Sequence, residues 1–393
     1  MKRLKVDSVI IGGGMIGLAL ACGLARRGQQ VAVIERHKQP ELPQQPALRV
    51  SALSHRSRSL LKGLDVWSKV EGFRTGPYQA MHVWDKDNAA TIHFDAKEVN
   101  QQDIGAIAEN AVVEHFLWQV AEEAGVHIIE AEKWQLRTPV SEQQEHPNDP
   151  VRLMTNDYEI DAGMLFGADG ARSRVRQLAD LPITFWDYEQ QGIVANIRTE
   201  QPHQGVARQV FLPSGPLALL PTYDSHLCSI VWSADTEVAA ELMALADNPE
   251  KFAWRVQIAS DNVLGHCQLD SEVAAFPLRM QYARQWYAGS TVLMGDAAHS
   301  IHPLAGQGAN LGFADVDTWL RLLDEGLTGQ RLFAAYQRER KADSLVMISA
   351  MEAFKCGFGS SNPALKLIRA AAFALPAAIA PVKRKFVQKA LGY

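Results

Sequence analysis

Val9-Ile10-Ile11-Gly12-Gly13-Gly14-Met15-Ile16-Gly17 carries the decisive pattern of this 393-residue chain. A β-branched run, Val6 to Ile11, suits a buried parallel strand. It breaks into Gly12-x-Gly14-x-x-Gly17, and an alanine- and leucine-rich stretch of helical composition follows from Leu18 to Arg26. Gly28 ends that helix, and Val31 to Ile34 form a second strand closed by Glu35. Each glycine has a mechanical task. Gly12 permits the tight turn, Gly14 lets backbone approach a pyrophosphate, and Gly17 lets helix and strand pack closely. The helix N-terminus turns free N–H groups and a positive dipole end toward the phosphates. Glu35 stands where a carboxylate accepts hydrogen bonds from ribose hydroxyls, which disfavours a 2′-phosphate. The unit predicts a doubly wound α/β dinucleotide-binding fold and leaves FAD and NAD open.

Composition sets the bounds around this unit. A chain with 47% hydrophobic residues can build a large core, and its length suggests two or three domains. The formal net charge of -5 gives no electrostatic reason to expect nucleic acid. The apolar run after Lys2 and Arg3 is too short for a signal peptide, and no stretch nears the roughly 20 apolar residues of a spanning helix. A cytoplasmic protein is the expectation. Cys22, Cys228, Cys267 and Cys356 show no C-x-x-C spacing, so neither a zinc site nor a disulfide is expected, and Cys22 reads as a small core residue.

Two later strand ends decide between the dinucleotides. Met164-Leu165-Phe166-Gly167-Ala168-Asp169-Gly170 and Thr291-Val292-Leu293-Met294-Gly295-Asp296 each end an apolar run in an aspartate beside glycine. Ligands of open α/β sheets sit beyond the carboxyl ends of strands, so three such ends suggest one extended ligand. In this order the three patterns resemble the flavoprotein aromatic hydroxylases of the para-hydroxybenzoate hydroxylase type. The resemblance implies FAD, with Asp169 near FAD and the pyridine nucleotide and Asp296 on the ribityl chain. It also places Arg49, in Leu48-Arg49-Val50-Ser51, near the pyrophosphate. Asn110 stands where many such hydroxylases carry Arg or Gln; it is either a cofactor residue or the cap of the following helix, the role its type prefers.

His299-Ser300-Ile301-His302-Pro303-Leu304-Ala305-Gly306-Gln307-Gly308-Ala309-Asn310 then leads into a helix from Asn310 to Leu323. A glycine-rich loop entering a helix makes a second anion site. Backbone N–H groups from Gly308 to Asn310 fit the charged edge of reduced flavin, and Gly306, Gln307, Gly308, Ala309 and Asn310 are assigned to the cofactor. The wording His302-Pro303-Leu304-Ala305-Gly306-Gln307-Gly308 is similar to the ubiquinone-biosynthesis hydroxylases. Within them, Met81 to Asp87, Leu181 to Tyr188, Ile197 to Glu200 with Val206 to Phe211, and His226 to Ser233 look like the 2-polyprenylphenol hydroxylases. That resemblance implies an FAD-dependent monooxygenase using NAD(P)H and O2, through a C4a-hydroperoxyflavin, on a polyprenylated phenol. A closed apolar cavity is then the main demand on the protein. His302 is the candidate for proton relay, against a plain hydrogen-bonding role in the loop. No second glycine fingerprint exists for NAD(P)H. Hydroxylation of another ubiquinone precursor or other phenol, a non-catalytic FAD scaffold in a biosynthetic complex, and electron transfer to quinone stay open.

The expected organisation is an FAD-binding domain of 1–71, 100–182 and 276–345, an interleaved β-sheet substrate domain of 72–99 and 183–275, and a C-terminal helical segment, 346–393. Trp84, Trp186 and Trp232 either line the cavity or pack in the core, the commoner fate. The tail alternates small apolar residues from Ala370 to Ala380 with Lys366, Arg369, Lys383, Arg384, Lys385 and Lys389. It is either a peripheral membrane or partner contact or an ordinary packing helix.

Overall fold

The computed structural model describes residues 1–87, 91–137, 150–300 and 308–358, with side chains as far as 346. His302, Gly306, Gln307, the Cys356 side chain and the basic tail from 359 lie outside what can be described.

The nucleotide sheet grows outward from the glycine fingerprint. Strand Lys2–Ile11 pairs in parallel with Val31–Glu35 on one side and Tyr158–Gly167 on the other. His127–Glu130 extends the first side, and Thr291–Leu293 the second, again in parallel. Val9 and Ile10 are fully buried, as are Ala32, Val33 and Phe166, because helices cover a parallel sheet on both faces. Helix Met15–Ala25 packs against helices Asn110–Glu123 and Gly308–Asp324. Cys22 sits wholly inside this core, where burial pushes its thiol up to about 12. The doubly wound α/β architecture is as the sequence predicts.

A second sheet follows a different logic. Its order is His299–Ser300, Ala274–Ala283, Ile183–Thr199, Leu227–Asp235, Gly215–Pro221, Val206–Leu212, Ala80–Asp85, Thr91–Asp95, with Cys267–Leu269 also on Ile183–Thr199. Its strands alternate. Ile193, Ala195, Ile197, Ile230 and Trp232 face one side, under helices Thr236–Ala244 and Pro249–Ala259. Val194, Asn196, Ser229, Val231, Ala218 and Leu220 face the other. The expected run of strands over 183–275 is thus interrupted by two helices. The sheet also crosses the expected boundary at 275, because Ala274–Ala283 runs antiparallel to Ile183–Val194.

A third, small sheet of Val50–Ser54, Gly105–Glu109 and Gly76–Tyr78 lies between the two. Gly76 makes this possible, since a Cβ there would stand 2.2 Å from the Pro221 carbonyl of the second sheet. Among the described residues no helix is long and apolar enough to cross a membrane.

Candidate functional site

Strand register brings the predicted residues to one edge. Ile11 lies opposite Ile34 and Gly167, and Gly167 opposite Leu293. The turns that leave these strands carry Gly12, Glu35, Asp169 and Asp296, so four stations far apart in the chain share one sheet edge.

The glycine turn is built by exclusion. Gly12 has φ +106°, and a Cβ on it would lie 2.4 Å from the Ala168 carbonyl oxygen. A Cβ on Gly17 would lie 1.9 Å from the Gly12 carbonyl oxygen. Gly14 differs, because its Cβ would meet nothing nearer than Glu114 Oε1 at 3.8 Å. Gly14 therefore opens on space, while Gly12 and Gly17 are closed by protein. Gly14 also caps helix Met15–Ala25 without a side-chain hydrogen bond. An open glycine before a helix N-terminus is the cradle a pyrophosphate requires. Glu35 turns back into it, accepting the Gly13 N–H at 2.5 Å and the N–H groups of Arg36 and His37 on its other oxygen.

Asp169 is half committed. Its Oδ2 accepts the N–H groups of Arg174 and Val175 at 2.7 and 3.1 Å. Its Oδ1 is buried with no partner among the described residues, an acceptor left for an outside donor. Asp296 reaches solvent, yet enough protein surrounds it to disfavour its charged form. Burial raises its carboxyl, Asp315 adds to that, and His299 and Arg49 pull it down. Arg49 is exposed, with its guanidinium 5.7 Å from the Phe276 ring centroid. Its charge reaches both Asp296 and Glu114. These donors and acceptors are of the kinds FAD needs along a sheet edge: Gly14 and Glu35 could hold its AMP half and Asp296 its ribityl chain.

Asn110 corrects one expectation. It does not cap its helix; Glu109 holds that position, without a side-chain bond. The Asn110 Oδ1 instead accepts the Ser51 hydroxyl at 2.7 Å, beside Arg49. Asn310 is likewise tied down by protein. Its Oδ1 accepts the Ser54 N–H and the Ser57 hydroxyl, and its amide donates to the Ala52 carbonyl. That leaves backbone, the part assigned to flavin, at the start of helix Gly308–Asp324, where Ala309 packs on the nucleotide core and a Cβ on Gly308 would meet none of the described residues within 4 Å.

Two groups escape sequence inspection. Glu114 looks into the glycine cradle from helix Asn110–Glu123. Burial raises its carboxyl, Glu35 adds to the effect, and Arg49 and the donating Met15 N–H oppose it. The second is a buried cluster under the Asp296 turn. Asp315 accepts the Gly295 N–H at 2.9 Å, Arg340 Nε at 2.8 Å, and lies 2.7 Å from His299 Nε2. Burial alone would raise the Asp315 carboxyl, yet His299 and Arg340 outweigh it and hold it below the ordinary value.

Between the small sheet and the second sheet lies a recess lined by Val50, Ile107, Arg74, Asn196 and Thr222. Arg74 pairs with Glu109 and stacks on Tyr223 and Phe73. Trp84 and Trp232 take the core alternative, on the opposite face of the sheet; Trp84 donates to Asp261 at 2.7 Å. Trp186 packs near Tyr188, Met280 and Leu311.

Known proteins match this arrangement. The FAD binding domain family matches residues 5–349. The chain is 35% identical to the 3-demethoxyubiquinol 3-hydroxylase of Escherichia coli (strain K12), over 100% of both chains. It is 31% identical to the mitochondrial ubiquinone biosynthesis monooxygenase COQ6 of Danio rerio, over 97% of this chain and 88% of that one. In structure it resembles the p-nitrophenol 4-monooxygenase PnpA of Pseudomonas putida DLL-E4, with TM-score 0.77 and 19% identity over 100% and 99% of the chains. Pseudomonas aeruginosa PqsL in complex with 2-aminobenzoylacetate gives 0.74 and 21% over 91% and 97%. At such identities the structural matches speak for the fold alone.

Proposed function

From a chain that belongs to the FAD binding domain family, and within it to the ubiquinone-biosynthesis hydroxylases, we propose the following activity: an FAD-dependent monooxygenase that hydroxylates the ring of a polyprenylated phenol with NAD(P)H and O2. The observation that carries it is the end-to-end match to a hydroxylase acting on 3-demethoxyubiquinol. The same name favours a second reading, in which the ring is a methoxylated quinol.

When bound, FAD supplies the redox chemistry, accepting hydride and activating oxygen. The chain's own residues do the rest. Gly14 and the first turn of helix Met15–Ala25 would hold the pyrophosphate, Glu35 the ribose, and Asp296 the ribityl chain. Backbone N–H groups from Gly308 to Asn310 would lie at the electron-rich edge of the flavin ring and favour negative charge there. The apolar face of the second sheet, with Val194, Val231, Ala218 and Leu220, supplies water-excluding cover for the reacting ring. The test is oxygen uptake by the FAD-loaded protein with NAD(P)H. Uptake should rise on adding a 2-polyprenylphenol and yield a hydroxylated product by mass. Uptake that rises only with a demethoxyquinol selects the second reading. No substrate-dependent uptake with either rejects both.

A further inference from the structure

Two buried polar atoms on the inner face of the second sheet, Asn196 Oδ1 and the Ser229 hydroxyl, have no hydrogen-bond partner among the described residues. Asn196, on Ile183–Thr199, is 1% exposed; its amide nitrogen donates to the Pro46 carbonyl at 3.0 Å, and its Oδ1 has no partner. The Pro46 bond fixes which way the amide points. Ser229, on Leu227–Asp235, is fully buried, and its hydroxyl also has no partner. The two are directly opposed in the antiparallel register, so they share one face. Side chains so opposed have Cβ atoms about 4.5–5.5 Å apart. Leu220 opposes Ser229 on its other side. Asn196 also lines the recess facing the small sheet, with Val50 and Ile107 across it.

A buried acceptor and a buried hydroxyl stranded side by side are costly unless something binds them. The complement must donate one hydrogen bond, must accept another, and must present apolar surface to Val50 and Ile107 of the recess and to Leu220 beside Ser229. A phenolic hydroxyl on an alkylated ring meets all three demands. We propose that Asn196 and Ser229 form the subsite for the ring hydroxyl of the substrate: the phenol O–H donates to Asn196 Oδ1, and the Ser229 hydroxyl donates to the phenol oxygen. This rests on the phenol reading above and assigns specificity within it. Neither residue reacts; they orient the ring.

The test compares 2-prenylphenol with its O-methyl ether, each titrated into the FAD-loaded protein and followed by the visible spectrum of bound flavin. The ether can still accept from Ser229 but cannot donate to Asn196. Wild type should bind the phenol at least tenfold more tightly than the ether. N196L should erase that preference, N196D, which keeps an acceptor oxygen, should retain it, and S229A should weaken both ligands by a similar factor. S229A also carries the test if N196L fails to retain FAD. Equal binding of phenol and ether by wild type, as a recess holding only water would give, overturns the subsite and leaves the phenol reading standing. A preference that survives in N196L overturns it equally, as does S229A binding both ligands like wild type. Binding of neither ligand to wild type overturns the phenol reading and the subsite with it.

Discussion

At the scale of single residues, the three fingerprint glycines separate into two kinds. A methyl group on Gly17 would run into the Gly12 carbonyl, so G17A should misfold or lose most of its stability. A methyl group on Gly14 meets no protein atom closer than 3.8 Å. G14A should therefore melt like wild type without FAD and bind FAD at least tenfold more weakly, measured by quenching of flavin fluorescence. Equal losses at both positions would contradict this division. Glu114 makes a prediction of opposite sign. Its carboxyl is raised by burial, with Glu35 adding and Arg49 and the Met15 N–H opposing, and it faces the pyrophosphate site. The protonated form tolerates the phosphates better, so FAD affinity should fall as pH rises through this raised value. E114Q should bind FAD more tightly at neutral pH and flatten that dependence; weaker binding by E114Q would show a merely structural role. Gly14 was legible in the sequence because its task is local. Glu114 was not, because only the packing of helix Asn110–Glu123 on the first helix brings it to the cradle. Asn110 was misread for a related reason: propensity favoured a cap, but Ser51, almost sixty residues earlier, offered the better hydrogen bond.

At the scale of elements, the Asp315 cluster joins three pieces: the turn after Thr291–Leu293, helix Gly308–Asp324 and helix Gly329–Phe358. Removing one partner of a buried ion pair costs about 3–5 kcal/mol, since the other charge stays buried. R340L should show a loss of that order in urea unfolding, and a loss under about 1 kcal/mol would remove the cluster from the stability account. The depressed Asp315 carboxyl gives a sign for acid as well. Its contribution is complete above the unfolded carboxylate pKa, about 3.9, and is lost as pH falls through the lower folded value. Strands and helices of the nucleotide half were readable because each has a uniform period. The second sheet was readable as strands only in part. Helices Thr236–Ala244 and Pro249–Ala259 interrupt it, and its last long strand, Ala274–Ala283, is defined by pairing with residues some ninety positions earlier. The orphaned Asn196 and Ser229 likewise become visible only once register puts them side by side.

At the scale of the whole molecule, the two sheets are woven from alternating lengths of chain. The nucleotide sheet takes strands from residues 2 to 293, and the second sheet takes strands from 80 to 300. A fragment of residues 1–285 keeps the fingerprint but lacks Thr291–Leu293 and Asp296. It should purify without flavin absorbance, whereas a flavin-bearing fragment would mean that the AMP half suffices. The late arrival of Thr291–Leu293 beside Tyr158–Gly167 also sets a clock. A ribosome adding about 5–20 residues per second needs roughly 15–60 s to reach that strand after making the first glycine. Val151–Met154 already pairs with Glu159–Ala162, but the Leu165–Gly167 end of that strand has no neighbour on its outer side for the last part of this time, roughly 6–25 s between Gly167 and Thr291. Flavin loading thus belongs to the last moments of synthesis or after, and cells short of FAD would accumulate a finished but unlatched chain open to proteases.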